Sequence, residues 1–501
     1  MVNSIPIPIC EEHPEYNDLY MKAWELAYTH IKHIDGMPQT PYMDEAFCET
    51  QVWIWDSCFM SLFCKYGMDI FPGVETLNNF YQVLYNNKSL PKVIPPKSEP
   101  IWTEAIPGIP YEMKIHLADN PPLFAWSEYE NALMKGDKSY LKELLYEKQF
   151  LQKHFEWMEN LKEHIVPHGV MFPTTLISEN LGYKWDGGCS GMDNTPRGRK
   201  GSYSIKERPN NKKMLWIDAI CQQSLAAKMI SKMFDIIGDL ELAEKWNQKF
   251  IEKRNIINNY YWDKIDKFYY DIDCKTNKFY KVMTIASYWA LTAGVASKEQ
   301  AEYLVEKLLD SSLFGGKVPF VSLARNDKDF EEKGRYWRGS VWLPTAYATL
   351  KGLTNYKFYK EAQETASKLL DHMSNTYLNY SPHTIWECYA PVKCEPGTVP
   401  GSREKIVRPD FCGWSAIGPI SIYIEFVLGF HTINAFENVV EWEKPKNLKG
   451  KIGIKNLKFG NIITDIEADD NLCVIHSNNP YMIKISGKAY NISRGINKFE
   501  I

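Results

Sequence analysis

Asp193 and Glu387 are the two acids of this chain whose surroundings suit chemistry best. Asp193 lies in Gly187-Gly188-Cys189-Ser190-Gly191-Met192-Asp193-Asn194-Thr195-Pro196-Arg197. That run has neither helical nor strand period. Glycine frees its backbone and proline fixes it again, which predicts an acid on a shaped loop. An ordinary surface turn uses the same residue types. Glu387 lies in His383-Thr384-Ile385-Trp386-Glu387-Cys388-Tyr389 with no cation within four residues on either side. A carboxylate among apolar neighbours is either costly or functional. Trp55, Trp337, Trp342, Trp386 and Trp414 occupy the same loop-rich set. Two carboxylates with aromatic platforms are what glycosidic bond cleavage needs: one protonates the leaving oxygen, and the other activates water or attacks the anomeric carbon.

Two further stretches belong to this set. In Tyr336-Trp337-Arg338-Gly339-Ser340-Val341-Trp342, the Arg338 guanidinium has the donors to hold a ligand in a cleft. The alternative is a helix start with core aromatics. In Asp410-Phe411-Cys412-Gly413-Trp414-Ser415, Trp414 suits a pocket mouth and core packing equally well.

The elements that must position these residues are mostly helical. Spacing of apolar residues predicts helices over 15–34, from 53 to about 63, and over 72–87, 122–135, 138–163, 215–237, 239–260, 283–292, 297–310, 338–352, 356–378 and 414–428. Twelve helices in consecutive hairpins predict a mainly α fold, an (α/α)6 barrel, with the long loops gathered at one end. Residues 1–14 read as an irregular lead-in, and 88–121 as a long proline-rich loop, with Trp102 and Tyr111, that closes part of the pocket. After residue 437 the pattern alternates, as in Lys451-Ile452-Gly453-Ile454-Lys455 and Tyr481-Met482-Ile483-Lys484-Ile485. The expected domains are therefore 1–436, the helical catalytic part, and 437–501, a small all-β appendage.

Composition narrows the function classes. Net charge is −4 without long runs of one sign, so neither nucleic acid nor a charged membrane surface is expected as partner. No stretch approaches the ~20 apolar residues of a membrane helix, and no signal-peptide core is visible. With eleven cysteines and no CxxC pair, a reduced, cytoplasmic chain is expected. The spacing of Cys388, Cys394, Cys412 and His383 fits no common zinc pattern, so no metal is expected there. Aromatic residues make up 14%, with 16 Trp and 30 Tyr, which suits either a bulky core or a cleft that stacks sugars.

Gly191-Met192-Asp193-Asn194, Tyr336-Trp337-Arg338-Gly339, Trp386-Glu387-Cys388-Tyr389 and Gly413-Trp414-Ser415, in that order, resemble glycoside hydrolase family 63. Trp53-Ile54-Trp55-Asp56 and Asn120-Pro121-Pro122 match its early motifs, so the resemblance spans roughly residues 45–430. That family includes processing α-glucosidases and mannosylglycerate hydrolases, is related to trehalases, and is built on an (α/α)6 barrel. The resemblance implies an inverting hydrolase of an α-linked glucoside or mannoside, with Asp193 as general acid and Glu387 as general base. It implies substrate contacts at Trp55, Asp56, Arg338, Trp342 and Trp414, and Tyr336, Trp337 and Trp386 from the same motifs complete the expected set. No cofactor is implied beyond a structural Ca2+ of the kind some relatives hold. The sequence departs from the family pattern at Cys189, where a Glu is frequent, and at Cys388, where an Asn is frequent. A phosphorylase on a similar barrel, which would need the acid but not the base, and a catalytically dead carbohydrate-binding protein are the alternatives.

Overall fold

The computed structural model describes residues 4–46, 49–87, 93–96, 121, 123–160, 164–165, 175–199, 202–203 and 209–501. Most of the 88–121 loop, including Trp102 and Tyr111, lies outside the described residues.

The chain is helix-rich, with β-strands gathered near its C-terminus. The principal helices are α1 (Glu15–Thr29), α2 (Ile54–Cys64), α3 (Phe124–Lys135), α4 (Ile217–Ile237), α5 (Leu240–Ile256), α6 (Lys298–Leu309), α7 (Leu343–Asn355) and α8 (Tyr359–Asn379). Local chemistry explains their joins. Gly238 stops α4 in the left-handed conformation, φ 87°, and Asp239 accepts from the Leu242 N–H at 3.1 Å to start α5. The two helices then fold back along each other. Ser297 and Gln300 form a reciprocal capping box on α6, whose Ala301, Leu304 and Leu308 are buried, as the spacing predicts.

Three segments run in the same direction. Trp55, Trp342 and Trp414 meet at one end: the Trp55–Trp414 and Trp342–Trp414 ring centroids are each 5.7 Å apart. Lys65 just past α2, Lys351 on α7 and Glu425 on the 418–427 turns lie 9–11 residues further on, about 15 Å at helical rise. There they meet Glu130 of α3. Lys65 contacts Glu130 at 3.2 Å and Glu425 at 3.0 Å, and Lys351 contacts them at 3.0 and 3.3 Å. Two cations and two anions thus compensate one another inside the molecule. Burial pushes the Glu130 carboxyl up, but the Lys351 and Lys65 charges outweigh it and hold the group below the usual carboxylate range. The aromatic cluster and the charge quartet mark two ends of one helical core.

Several expected boundaries differ. The 138–163 helix is three pieces: Lys138–Lys142, a π-helical Glu143–Lys148 and Phe150–Glu159, separated at Gln149 with φ 53°. The 283–292 helix is a 3-10 turn, Ile285–Tyr288, followed by Trp289–Ala293. The 414–428 helix is a 3-10 turn, Ser415–Ile417, then a π-helix, Gly418–Val427. The 338–352 helix starts only at Leu343, because 335–342 is held in another shape by contacts from distant loops. Residues 1–14 are not all irregular: β1 (Ile7–Cys10) pairs antiparallel with Ile452–Lys455.

Short two- and three-stranded pairings interrupt the helical part, and the strands that build the β part with β1 are β2 (Thr432–Asn434), β3 (Val439–Trp442), β4 (Ile452–Phe459), β5 (Ile462–Ala468), β6 (Leu472–Ser477), β7 (Tyr481–Ile485), β8 (Lys488–Ile492) and β9 (Gly495–Glu500). One sheet has the order β1-β4-β5-β6-β9 and the other β2-β3-β7-β8, where only β3–β7 is parallel. Alternation along β5 and β7 puts Ile462, Thr464, Ile466, Ala468, Tyr481, Ile483 and Ile485 inside. Ala435 N–H donates to the Leu133 carbonyl at 2.7 Å and Gly460 N–H to the Met134 carbonyl at 2.8 Å, which seats the strands on the end of α3. Among the described residues no helix is long and apolar enough to cross a membrane, and the described cysteines are free thiols.

Candidate active site

Glu387 is held by three segments. Val341 and Tyr389 exchange backbone hydrogen bonds at 2.9 and 3.0 Å, which lays the Glu387 segment beside the Tyr336–Trp342 segment. The Glu387 N–H donates to the Arg408 carbonyl at 3.1 Å. The Trp414 indole N–H and the Ser415 hydroxyl donate to the Glu387 carbonyl at 3.1 and 3.2 Å. The backbone is therefore fixed on both sides, and the carboxylate is buried, with 3% of the residue exposed. Its Oε1 accepts from the Tyr336 hydroxyl at 2.7 Å and its Oε2 from the Arg408 N–H at 3.4 Å. Burial pushes the carboxyl above the usual carboxylate range, while the Tyr336 hydroxyl and Arg408 pull it back down. The Asp193 charge adds to the upward push. Asp193 is therefore within electrostatic reach of Glu387, and its charge also acts on the Tyr336 hydroxyl.

The Asp193 segment is shaped more tightly than a surface turn. Asp186 caps a four-residue helix, Gly187–Ser190, by accepting from the Cys189 N–H at 3.0 Å. Gly191 ends it with φ 73° and lies directly on the Trp55 ring. Asp193 is half-buried between buried neighbours. Next to it, the fully buried Asn194 side chain donates to the Arg335 carbonyl at 3.0 Å and accepts from the Trp337 N–H at 2.9 Å. Past the proline, Arg197 anchors the loop. It reaches Asp218 at 2.7 and 3.0 Å and Asp271 at 2.5 and 2.8 Å, and stacks 4.3 Å over Trp216.

Gly191 carries a direct prediction. A Cβ there would run into the Trp55 six-membered ring, and φ 73° disfavours an L side chain by about 1–2 kcal/mol by itself. Gly191→Ala should lower the thermal midpoint and the activity together. An unchanged melt would show that the loop does not rest on Trp55.

The expected aromatic set is brought together with one exception. Trp337 and Trp342 stack at 4.2 Å with an interplanar angle of 1°, and Trp55 leans on Trp337 at 6.2 Å. Trp337 and Trp342 are fully buried, so they present no open face. Trp414 keeps 7% and Trp55 3% of their surfaces exposed. Trp386 is the exception: it is fully buried and packs edge-to-face on Tyr380 at 5.6 Å, away from the rings of this cluster. Asp56 is buried in the first turn of α2, next to Trp55. Arg338 pairs with Asp329 at 3.6 Å, and Asp329 also accepts from Arg199 at 2.6 Å. Sequence reasoning missed the roles of Asn194, Arg408 and the Arg197–Asp218–Asp271 group. Asn194 and Arg197 stood in the singled-out run, but nothing local shows what they bond. Among the described residues no group of three or more His, Cys, Asp or Glu is placed to hold a metal ion.

Comparison with known proteins adds the family context. The profile of the mannosylglycerate hydrolase MGH1-like glycoside hydrolase domain matches residues 49–404. An uncharacterized protein of Borreliella burgdorferi is 26% identical over 396 residues, 78% of this chain and 74% of that protein. The cytosolic neutral trehalase of Kluyveromyces lactis is 29% identical over 138 residues, which is 27% of this chain but 18% of the trehalase. Among solved structures, the GH63 mannosylglycerate hydrolase from Thermus thermophilus, in complex with Tris and D-glycerate, superposes with a TM-score of 0.59 at 16% identity. That match covers 80% of this chain and 99% of the other.

Proposed function

The chain belongs to the MGH1-like glycoside hydrolases of family 63, and from that premise we propose that it cleaves an α-linked glucoside or mannoside with inversion. Asp193 acts as general acid and protonates the departing glycosidic oxygen. Glu387 acts as general base and takes a proton from the water that attacks the anomeric carbon from the opposite face. The helices are read as an (α/α)6 barrel with its catalytic part in residues 1–436, and 437–501 as the β appendage. The scheme calls for no cofactor. A small glycoside or a glycosyl-glycerate is the substrate class, and the absence of a membrane-length helix among the described residues is compatible with a cytoplasmic chain.

The observation that carries this reading is the Tyr336 hydroxyl. It bonds Glu387 at 2.7 Å and sits in the field of Asp193, which supports a joint task for the two acids. The upward push of burial on Glu387 suits a base only because Tyr336 and Arg408 favour its ionised form. A phosphorylase would take phosphate as nucleophile and would have no use for this arrangement around Glu387.

The test is a proton NMR time course on α-glucosides and α-mannosides, including mannosylglycerate and glucosylglycerate. First release of the β-anomer is the expected result. First release of the α-anomer would mean retention, and turnover that depends on added phosphate would mean a phosphorylase. Binding without turnover across the panel would favour a dead carbohydrate-binding site.

A further inference from the structure

We propose that Asn194 and Tyr336 form a strap that sets the position of the base relative to the acid, Asn194 holding Tyr336 and Tyr336 holding Glu387. Both are positioning residues, and the assignment of their task rests on the acid–base reading above.

The strap begins in unfavourable backbone. Arg335 and Tyr336 are consecutive non-glycine residues with φ 37° and 68°. Left-handed conformations of this kind cost roughly 1–2 kcal/mol per residue and persist only where the surroundings over-determine them. Here the Asn194 amide brackets the turn. Its Nδ2–H donates to the carbonyl of Arg335, and its Oδ1 accepts from the N–H of Trp337, one residue before and one after Tyr336. Asn194 is completely buried, so neither bond is exchanged for one to water at low cost. Two further contacts close the turn: the Trp342 indole N–H donates to the Tyr336 carbonyl at 3.3 Å, and the Arg335 N–H donates to the Thr398 hydroxyl at 3.1 Å. The Tyr336 ring stands edge-to-face on Trp342 at 4.7 Å, which aims its hydroxyl at Glu387.

The consequence is a covalently short path between the two acids. Asp193 is bonded to Asn194, Asn194 grips the peptides around Tyr336, and Tyr336 bonds the carboxylate of Glu387. The alternative role for Tyr336, contact with the sugar, would leave its hydroxyl free to turn to substrate. Its bond to Glu387 and the seat of its ring on Trp342 argue for the positioning role. The groups acting on the Glu387 carboxyl are the Tyr336 hydroxyl, the Arg408 N–H and guanidinium, and the Asp193 carboxyl. The Cys388 thiol is its chain neighbour and feels the Glu387 charge. Tyr336 and Arg408 favour the ionised form and Asp193 opposes it.

The experiment compares wild type with Tyr336→Phe, Asn194→Ala and the double variant, labelled with 13C at the glutamate carboxyl. The Glu387 signal is identified by its loss in Glu387→Gln. Without the hydroxyl, the Glu387 titration should move up by about one pH unit, the scale of a hydrogen bond to a charged group. Asn194→Ala should move it in the same direction, and the double variant no further than Tyr336→Phe, because the two act in series. The acidic limb of kcat/KM on any substrate found by the panel should follow, with kcat falling about tenfold or more and KM little changed. An unmoved Glu387 titration in Tyr336→Phe overturns the proposal, as does additivity of the two variants. If Asn194→Ala does not fold, Asn194→Ser, which shortens the side chain without adding charge, supplies the second arm. This readout needs no substrate. Activity surviving in Asp193→Asn or Glu387→Gln would defeat the acid–base reading, whereas a still Glu387 signal would defeat the strap alone.

Discussion

Asp193→Asn and Glu387→Gln should each lower turnover by at least roughly 10²–10⁴-fold, the scale of a lost general acid or base, while the fold survives. The fold survives because the segments around both acids are also held by other groups. The Glu387 backbone donates to the Arg408 carbonyl and accepts from the Trp414 indole and the Ser415 hydroxyl, bonds that the amide variant keeps. The Asp193 loop is held by Asp186 before it and by Asn194 and Arg197 after it. In Glu387→Gln the new amide oxygen could still accept the Tyr336 hydroxyl bond, so the loss of activity would report lost basicity and not a collapsed pocket. The measurement is kcat on the best substrate of the panel, with circular dichroism and a thermal melt as controls. Either variant retaining more than about a tenth of wild-type kcat would remove that residue from its role.

Arg197→Ala should destabilise the protein by about 3–5 kcal/mol, the usual cost of breaking a buried ion group from one side. Arg197, Asp218 and Asp271 are each at most 2% exposed. The guanidinium satisfies both carboxylates and covers Trp216. Asp218 is pushed up by burial and pulled back by the Arg197 charge, so removing Arg197 leaves burial unopposed. Arg197→Lys should rescue only in part, because an ammonium has three donors at one point and cannot reproduce the four hydrogen bonds of the planar fork. The urea midpoint is the readout, and a midpoint within error of wild type would show that the group contributes nothing to holding the loop. Activity should fall as well, since Arg197 lies four residues beyond Asp193 on the same loop.

Much of this architecture is legible in local pattern. Apolar spacing identified α6 to within a residue at each end, and its cap residues mark the start. Gly238 and Asp239 announce the α4–α5 join in the same way. Alternation after residue 437 identified strands, because a sheet with one buried face repeats every two residues. Asp193 and Glu387 stood out as acids without local reason to be there. In each case the signal sits within a few residues, where helical and strand periods and capping act.

Tertiary structure alone decided the rest. The N-terminal strand Ile7–Cys10 has its partner at Ile452–Lys455, across more than four hundred residues, and no local period can name it. Residues 338–342 fall in the expected helix range but lie outside α7, because Asn194, Thr398 and Ser322 bond the segment Arg335–Gly339 from elsewhere in the chain. Trp386, adjacent to the base in sequence, is turned onto Tyr380, while Trp414, twenty-seven residues on, holds the base's carbonyl. The sequence by itself determined which residues could act and which stretches could be helix or strand, since those follow from side-chain chemistry and short-range spacing. It could not determine which distant loop satisfies a buried donor or acceptor. That pairing is set by packing, where each buried polar group must find a partner among whatever the fold brings near.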